Sequence, residues 1–350
     1  MSRFYNKRTL ALTPYVPGEQ PKDKSYIKLN TNESPFPPSP LALEAMRNAI
    51  GPDLRLYPDP NCTELKEAIA SEYGVGVDQV FVGNGSDEIL AFAFQAFFDP
   101  EKPILMPEIT YSFYPVYAEL FGLTYITNKL DDNFNINSEE YLTQNGGVVI
   151  PNPNAPTSVA LPLSEIEKIV TGNPEVVVII DEAYIDFGAE TAVGLVAKYP
   201  NLLVVQTLSK ARGLAGLRVG YAIASAELIE GLEKIKNSFN SYTLDRIAIA
   251  GAVASIKDTS YNSKVQSQII ATREDTVAQL KDMGFRVTDC KANFIFASPP
   301  DGNAQQLFKD LRANGILVRY FTKTPNWLRI TVGTDEEMDA LIKELKRMVN

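Results

Sequence analysis

Short apolar segments alternate with amphipathic segments from about residue 60 to residue 236, and this rhythm restricts the fold more than any other feature. The segment 175–180 is aliphatic apart from its first residue, which is typical of a strand buried on both faces. The segments 63–73 and 226–236 have the apolar spacing of helices. Strands and helices in this alternation predict an α/β domain with a mostly parallel sheet.

The pattern changes after about residue 255. A helix is predicted over 261–283, where Gly284 is suited to end it, and short strands and two more helices follow. We expect an N-terminal arm at 1–45 that packs with the smaller domain, a large α/β domain at 46–255 and a smaller α+β domain at 256–350. Further strands are expected at 80–82, 104–106, 147–150, 202–206, 217–224, 285–287, 294–297, 317–320 and 327–332. Further helices are expected at 86–97, 114–121 and 304–314, and after the capping motifs at Ser164 and Thr334.

Composition excludes several classes of function. The chain has 33 Lys+Arg against 43 Asp+Glu, a net charge of -10, which argues against a nucleic-acid partner. It contains no histidine, which removes Ser-His-Asp and Cys-His catalysis and histidine-rich zinc sites, and we expect no metal. Cys62 and Cys290 form no disulfide framework, and no signal or membrane segment is visible, so we expect a cytoplasmic protein without a membrane partner. A lysine is then the leading candidate for proton transfer.

Lys210 follows the strand predicted at 202–206, at its carboxyl end, which is where ligands bind in open α/β sheets. Arg218 follows within Gly213-Leu-Ala-Gly-Leu-Arg-Val-Gly220, where glycines let the backbone approach a ligand. An exposed loop lysine is the alternative interpretation. A lysine amine and an arginine at one edge suit a cofactor that carries an aldehyde and a phosphate.

Asp181 directly follows the most apolar strand of the chain, in the segment Ile180-Asp-Glu-Ala-Tyr184. A buried carboxylate needs a cation or hydrogen-bond donors to offset its lost hydration. It is either a turn cap or a partner for a protonated ring nitrogen. A pyridinium is the obvious partner, because an aspartate at that nitrogen tunes pyridoxal phosphate as an electron sink.

The segment Gly83-Asn-Gly-Ser-Asp-Glu88 joins a predicted strand to a predicted helix. Free backbone N–H groups and the positive end of the helix dipole meet there, which predicts a site for an anion such as phosphate. A simple helix cap is the alternative. The segment lacks the three spaced glycines of a dinucleotide-binding fingerprint.

Together these motifs resemble the fold-type I pyridoxal-phosphate-dependent aminotransferases. The strongest match is Asp181-Glu-Ala-Tyr184, followed by Lys210 and by Arg218. The resemblance covers about residues 12 to 345, and within the family the chain looks like the histidinol-phosphate aminotransferases. Further motifs that carry it are Leu12-Thr-Pro-Tyr-Val-Pro-Gly18, Leu29-Asn-Thr-Asn-Glu-Ser-Pro35, Tyr57-Pro-Asp59, Thr207-Leu-Ser-Lys-Ala211 and Leu328-Arg-Ile-Thr-Val-Gly-Thr334.

The resemblance implies fold type I, pyridoxal 5'-phosphate bound by the large domain, and a homodimer. Lys210 would bind the cofactor covalently and then move the proton. Asp181 would pair with the pyridine nitrogen, and Tyr184 would hydrogen-bond the phenolic oxygen. The implied contacts to the phosphate and the ring are Gly85, Ser86, Asp87, Ser209 and Arg218, with Tyr111 stacked on the ring and Tyr57 reaching the phosphate of the neighbouring subunit.

One position departs from the family, which usually has Asn-Pro-Thr-Gly after the strand at 147–150. This chain has Pro153-Asn-Ala-Pro-Thr-Ser158, so Ala155 takes the place of the asparagine that contacts the phenolic oxygen. We expect Asn154 or a water molecule to replace that contact.

For substrate binding, Arg329 matches the family's arginine for the anionic group, and a planar guanidinium suits a carboxylate or a phosphate. Arg319 would assist it, and Tyr15 would close over the substrate. Each arginine is otherwise read as a surface residue. The resemblance implies the reaction of L-histidinol phosphate with 2-oxoglutarate, giving imidazole acetol phosphate and L-glutamate in histidine biosynthesis.

Other functions remain open at this point. An aromatic or other amino-acid aminotransferase and an amino-acid-phosphate decarboxylase share the fold. A non-catalytic regulator that binds pyridoxal phosphate would normally carry a basic DNA-binding segment, which is not visible here. A nucleotide-binding module is disfavoured by the missing glycine fingerprint.

Overall fold

The structure, a computed structural model, describes residues 3–349, and the strands of this part of the chain form three sheets. In chain order the strands are β1 Ile27–Lys28, β2 Val80–Asn84, β3 Ile104–Pro107, β4 Tyr125–Asn128, β5 Gly147–Pro151, β6 Val178–Asp181, β7 Leu202–Thr207, β8 Val219–Ala224, β9 Arg286–Val287, β10 Phe294–Ser298, β11 Ile316–Leu317, β12 Arg319–Tyr320 and β13 Leu328–Thr331.

Helices pack on both faces of the largest sheet. In chain order they are α1 Lys7–Ala11, α2 Pro40–Asn48, α3 Thr63–Tyr73, α4 Gly85–Phe97, α5 Phe113–Phe121, α6 Leu163–Gly172, α7 Ala226–Phe239, α8 Arg246–Lys257, α9 Thr259–Asp282, α10 Ala304–Ala313 and α11 Asp335–Val349. Within residues 3–349, no helix combines the length and the apolar character that a membrane span needs.

The largest sheet has seven strands in the order β2-β8-β7-β6-β5-β3-β4. Strand β8 is antiparallel to both of its neighbours, and the remaining pairs in the sheet are parallel. The expected α/β fold with a mostly parallel sheet is therefore confirmed. Because of this topology, the carboxyl ends of six strands and the start of β8 lie along one edge.

Both faces of the seven-stranded sheet are buried, since successive residues of a strand point to opposite faces. Ile180 and Val204 belong to a core cluster with residues of α3, α6 and α8. Ile179 and Leu203 belong to a second cluster with residues of α4, α5 and α7. This two-sided burial explains why the central strands are almost purely aliphatic.

The C-terminal part of the chain has its own core and an antiparallel sheet in the order β12-β13-β10-β9. Strand β1 pairs in parallel with β11, with Ile27 opposite Ile316. The N-terminal segment is thereby attached to the C-terminal part. The domain boundaries after residues 45 and 255 remain predictions.

Three local predictions were wrong. Strand β6 begins at Val178 rather than at residue 175, where the chain still turns. Ser164 does not cap α6, because Pro162 takes the N-cap position and makes no side-chain cap hydrogen bond. The strand predicted over 317–320 is divided, since β11 pairs with β1 while β12 pairs with β13.

Other helix ends follow the prediction. Gly284 follows α9 with a φ of 82°, in the left-handed region that glycine adopts without strain. At the start of α11, the Thr334 hydroxyl accepts the Glu337 backbone N–H, and the Glu337 carboxylate accepts the Thr334 N–H. The sequence analysis missed helices α1, α2 and α8 and strands β1 and β4.

Candidate active site

A cavity of about 230 Å³ lies at the edge of the sheet where the parallel strands end. It is lined by eleven of the residues predicted from the sequence, which come from every part of the chain. These residues are Tyr15, Ser86, Asp87, Tyr111, Asp181, Tyr184, Ser209, Lys210, Arg218, Arg319 and Arg329. The topology explains the convergence, because loops after parallel strands share one edge of a sheet.

Asp181 is the last residue of β6 and is 4% exposed at the base of the cavity. Its carboxylate accepts the Tyr114 hydroxyl at 2.7 Å and the Ala183 backbone N–H at 3.2 Å. Burial raises the pKa of Asp181 to about 6. Among the described residues, none forms an ion pair with this carboxylate. The site therefore suits a ligand that brings a positive charge to Asp181.

The N-terminus of α4 forms one wall together with the loop that leads into β8. Gly85 has a φ of 78°, and a side chain there would meet the Arg218 guanidinium at 2.6 Å. A side chain at Gly220 would meet the Ser86 backbone nitrogen at 2.4 Å. Helix α4 has no side-chain cap hydrogen bond, so its first N–H groups are left for a ligand. Bare backbone of this kind is what a phosphate needs for close approach.

Polar side chains complete this wall. Arg218 contacts the Asp87 carboxylate at 3.2 Å, and the Tyr111 hydroxyl donates to the same carboxylate at 2.8 Å. Ser209 lies close by, where its hydroxyl accepts a hydrogen bond from Thr207 at 3.0 Å. These contacts hold a guanidinium and a hydroxyl at the rim of an anion site.

Lys210 and Tyr184 face each other across the cavity. They follow the neighbouring strands β7 and β6, and the Lys210 amine lies 5.6 Å from the centre of the Tyr184 ring. The Tyr184 hydroxyl accepts a hydrogen bond from the Asn32 amide at 3.0 Å. The Lys210 amine and the Tyr184 phenol thus line the same cavity as Asp181 and the first turn of α4.

The opposite wall carries the two arginines, which lie directly across from each other on β12 and β13. Arg329 donates to the Asn30 carbonyl oxygen at 2.8 Å, but its buried Nε has no hydrogen-bond partner among the described residues. Burial, and then the neighbouring Arg319, lower the pKa of Arg329. Arg319 donates to the Val16 carbonyl oxygen at 3.0 Å. An unpartnered buried guanidinium N–H beside a second arginine favours an anionic ligand.

Three predicted residues, Asn154, Gly85 and Tyr57, are not among those that line the cavity. Asn154 does not line the cavity, because its amide donates to the Ile109 carbonyl oxygen at 2.9 Å and to the Thr157 hydroxyl at 3.0 Å. The contact of Asn154 with the phenolic oxygen therefore stays a prediction, while Ala155 lines the cavity. Gly85 begins α4 and has no side chain to place in the cavity. Tyr57 is 79% exposed, outside the cavity, with its ring stacked on Tyr242 at 4.5 Å.

The sequence analysis missed the polar loop before α2 and the tyrosine behind Asp181. Asn30 and Asn32 are each 1% exposed and line the cavity, together with Thr31. Tyr114 lies on α5 and is completely buried. The prolines after Asn30 indicated only a loop. Asparagines within a proline-rich loop are common at the surface, so composition alone gave no signal of burial.

Comparison with known proteins identifies the family. The family model named Aminotransferase class I and II matches residues 24–345. The chain belongs to this family. Two of its relatives are the histidinol-phosphate aminotransferase of Clostridium beijerinckii, 54% identical over 99% of this chain and 97% of the relative, and that of Marinomonas sp., 55% identical over 99% of this chain and 100% of the relative.

Solved structures share the fold. The histidinol-phosphate aminotransferase from Sinorhizobium meliloti, in complex with pyridoxal-5'-phosphate, has a TM-score of 0.91 and 24% identity over 100% of this chain and 98% of that chain. An aspartate aminotransferase from Thermus thermophilus with maleate has a TM-score of 0.86 and 19% identity over 100% of both chains. The predicted fold and the membership of the aminotransferase family are confirmed.

The residues of the cavity fit that cofactor. The unpaired Asp181 matches a protonated ring nitrogen, and the wall of glycine and serine backbone beside Arg218 matches a phosphate. Lys210 lines the same cavity, and a lysine amine is the group that bonds to an aldehyde. The roles of the individual residues are proposals that follow from this fit.

Proposed function

We propose that this chain is a pyridoxal phosphate-dependent transaminase that transfers the amino group of L-histidinol phosphate to 2-oxoglutarate. The products are imidazole acetol phosphate and L-glutamate, and the reaction belongs to histidine biosynthesis in the cytoplasm. The proposal rests on one observation above all. The cavity that joins Lys210 and Asp181 also holds two arginines, and relatives with 54% identity over nearly the whole chain are named for this activity.

The predicted residues of the cavity have different tasks in this reaction. Ser86, Ser209 and Arg218 hold the cofactor phosphate, together with the amides of Gly85, Ser86 and Asp87. Asp181 keeps a proton on the ring nitrogen, and Tyr184 donates to the phenolic oxygen. Bound in this way, the cofactor supplies an electron sink for the charge that develops on the substrate Cα. Tyr111 covers the ring face.

Lys210 moves the proton. Its amine would take the proton from the substrate Cα as a general base, hold it as an ammonium group, and release it as a general acid within the same cavity. Tyr15 closes the entrance, and its ring already stacks on Phe113 at 4.3 Å with an angle of 26° between the planes. Closure of this kind excludes water from the reacting atoms.

Arg329 and Arg319 hold the anionic end of the substrate. Both half-reactions need them, because histidinol phosphate carries a phosphate ester and glutamate carries carboxylates. A guanidinium binds either group with two parallel N–H donors. A dianionic phosphate should gain more from the second arginine than a carboxylate does.

A panel of amino donors with 2-oxoglutarate tests both the substrate and the arginines. We expect kcat/KM for histidinol phosphate to exceed those for phenylalanine and tyrosine. Arg329→Ala should weaken both half-reactions by about ten- to a hundredfold, the effect of one charge-assisted hydrogen bond. Arg319→Ala should reduce kcat/KM for histidinol phosphate more than for glutamate.

The outcomes of the panel separate the alternatives. Equal or better use of phenylalanine by the unmodified enzyme would indicate a general aromatic aminotransferase. Release of carbon dioxide without glutamate would indicate a decarboxylase. Arg286→Ala is a matched control, since this arginine lies against Trp327 at 5.3 Å and does not line the cavity.

We also propose that the active unit is a homodimer. Several exposed apolar side chains lie near Tyr57 along the chain or near its ring partner Tyr242, and such side chains often mark an interface. They are Ile50, Leu54, Leu56, Tyr57, Phe239 and Tyr242, which are 43% to 79% exposed. In a dimer that buries these side chains, Tyr57 would reach the phosphate site of the partner subunit.

Hybrid dimers test the shared site. Tyr57→Ala should weaken cofactor binding, and Lys210→Ala should abolish turnover. In a hybrid of the two variants, one cavity then contains both an intact Lys210 and an intact Tyr57 from the other subunit. At a cofactor concentration too low to saturate Tyr57→Ala, we expect the hybrid to be more active than either variant alone. No gain in hybrids isolated through a different affinity tag on each variant would place Tyr57 outside the partner's site.

A further inference from the structure

Asn32 holds an unusual position in the cavity. It is 1% exposed, it lines the space beside Tyr184, and its backbone has a φ of 58°, in the left-handed region that few residues with side chains adopt. Such a conformation persists only where the surroundings fix it. The Asn293 amide does so from one side, since it donates to the Asn32 carbonyl oxygen at 3.1 Å.

Hydrogen bonds to Thr331 determine which way the Asn32 amide points. The Asn32 backbone N–H donates to the Thr331 hydroxyl oxygen at 3.0 Å, and the Thr331 hydroxyl donates to the Asn32 Oδ1 at 3.0 Å. A backbone N–H can only donate, so Thr331 accepts from it and has its own proton free for Oδ1. The Asn32 Nδ2 then faces the Tyr184 hydroxyl oxygen, at 3.0 Å.

This arrangement fixes the direction of the Tyr184 proton. The Tyr184 oxygen accepts the amide N–H of Asn32, so its single proton is available to an acceptor in the cavity. Ala155 offers only a methyl group to the cavity, and the amide of Asn154 is used elsewhere. In the family, an asparagine usually contacts the phenolic oxygen of the cofactor as well. In this chain, the Tyr184 hydroxyl must therefore donate to that oxygen without the help of an asparagine.

We propose that Asn32 is a positioning residue that makes Tyr184 a hydrogen-bond donor to the phenolic oxygen of the cofactor. This inference rests on the proposed function, because it needs pyridoxal phosphate in this cavity. Asn32 acts through Tyr184, and Thr331 in turn holds the Asn32 amide. The relay compensates for the alanine at position 155.

A double-mutant cycle on cofactor affinity tests the relay. The probe is pyridoxamine phosphate, which cannot bond covalently to Lys210 and so reports the non-covalent contacts. Asn32→Gly removes the side chain while tolerating the left-handed backbone, and Tyr184→Phe removes the hydroxyl. We expect each single variant to raise the Kd by about three- to tenfold, the range for one hydrogen bond. In the Tyr184→Phe background, Asn32→Gly should add less than about twofold.

A second variant reverses the direction of the hydrogen bond between residue 32 and Tyr184 while keeping a side chain of the same shape. In Asn32→Asp, the carboxylate accepts the Tyr184 proton and withdraws it from the cavity. This variant should raise the Kd more than Asn32→Gly does, and again only when Tyr184 is intact. Asn173→Asp is the control for placing a carboxylate at a buried asparagine, because Asn173 donates to Tyr141 and Ile169 carbonyl oxygens outside the cavity.

The results distinguish this inference from the proposed function. If the unmodified protein does not bind pyridoxamine phosphate, both are overturned. If it binds, and the effects of Asn32→Gly and Tyr184→Phe multiply in the double variant, only the relay is overturned. A Kd for Asn32→Asp that is as low as that of the unmodified protein would also overturn the relay.

Discussion

Replacing Lys210 with alanine should reduce the rate of transamination by at least about a thousandfold while leaving the fold intact. General acid–base catalysis by a positioned side chain contributes about 10² to 10⁴ in rate, and the chain has no histidine that could substitute for the lysine. Lys210 lies in the turn after β7, so its side chain makes cavity contacts rather than core contacts. The measurements are kcat with histidinol phosphate and the melting temperature.

A chemical experiment identifies the lysine independently of the rate. Borohydride reduction of the enzyme with its cofactor, followed by mapping of peptide masses, should place the cofactor on Lys210. Lys210→Ala should give no such adduct. Lys198→Ala is the matched control, because Lys198 is exposed and pairs with Glu167 away from the cavity. An adduct on another lysine, or unchanged turnover in Lys210→Ala, would contradict the assignment.

Much of this site could be predicted because its parts lie next to apolar strands. Asp181 ends β6 and Lys210 follows β7, and both strands are aliphatic runs that can be found without a structure. In a parallel sheet, the carboxyl end of a strand is also the edge where ligands bind. A polar residue at the end of such a run is therefore placed in the site by local sequence alone.

Contacts between distant segments could not be predicted in this way. Tyr114 and Asp181 are 67 residues apart, and Asn32 and Tyr184 are 152 residues apart. Nothing local to Asn32 indicates that its amide is buried against β13. The direction of the Asn154 side chain could not be predicted for the same reason, since it depends on acceptors at Ile109 and Thr157.

Errors in the fold also arose where tertiary pairing overrides local preference. Residues 317–320 were predicted as one strand, but Leu317 pairs with β1 while Arg319 and Tyr320 pair with β13. Helix α8 was missed because it is rich in alanine and buried, so it lacks the polar face that marks an amphipathic helix. Hydrophobic periodicity arises when one face of a segment is buried and the other is exposed. A segment that is buried on several sides therefore has little periodicity.

Replacing Asp181 with asparagine should have opposite effects on stability and on activity. Without cofactor, burial raises the pKa of this carboxylate to about 6, against 3.8 for an aspartate in water. The folded state therefore binds a proton more tightly than the unfolded state. Ionising Asp181 in the fold costs about 3 kcal/mol at a pH well above 6, and this cost disappears below about pH 3.8. Asparagine avoids it.

Urea unfolding of the cofactor-free proteins measures this difference. Asp181→Asn should be more stable than the unmodified protein, and its advantage should grow by about 1 to 2 kcal/mol from pH 5 to pH 8. Glu182→Gln is a matched control, because Glu182 is also buried, with a pKa raised to about 7, but does not line the cavity. Its stability relative to the unmodified protein should also rise with pH, while its kcat should stay within a few-fold of the unmodified value.

With the cofactor bound, the same substitution should be harmful. The protonated ring nitrogen is the cation that the buried carboxylate lacks. Pairing with that nitrogen explains why the chain has an aspartate at position 181 although its ionisation destabilises the cofactor-free fold. Asparagine cannot keep the ring protonated, and a neutral pyridine is a poorer electron sink. We expect kcat to fall by about a thousandfold in Asp181→Asn, while pyridoxamine phosphate still binds through the phosphate site. A variant that gains stability but transaminates at the unmodified rate would show that Asp181 has no role at the ring nitrogen.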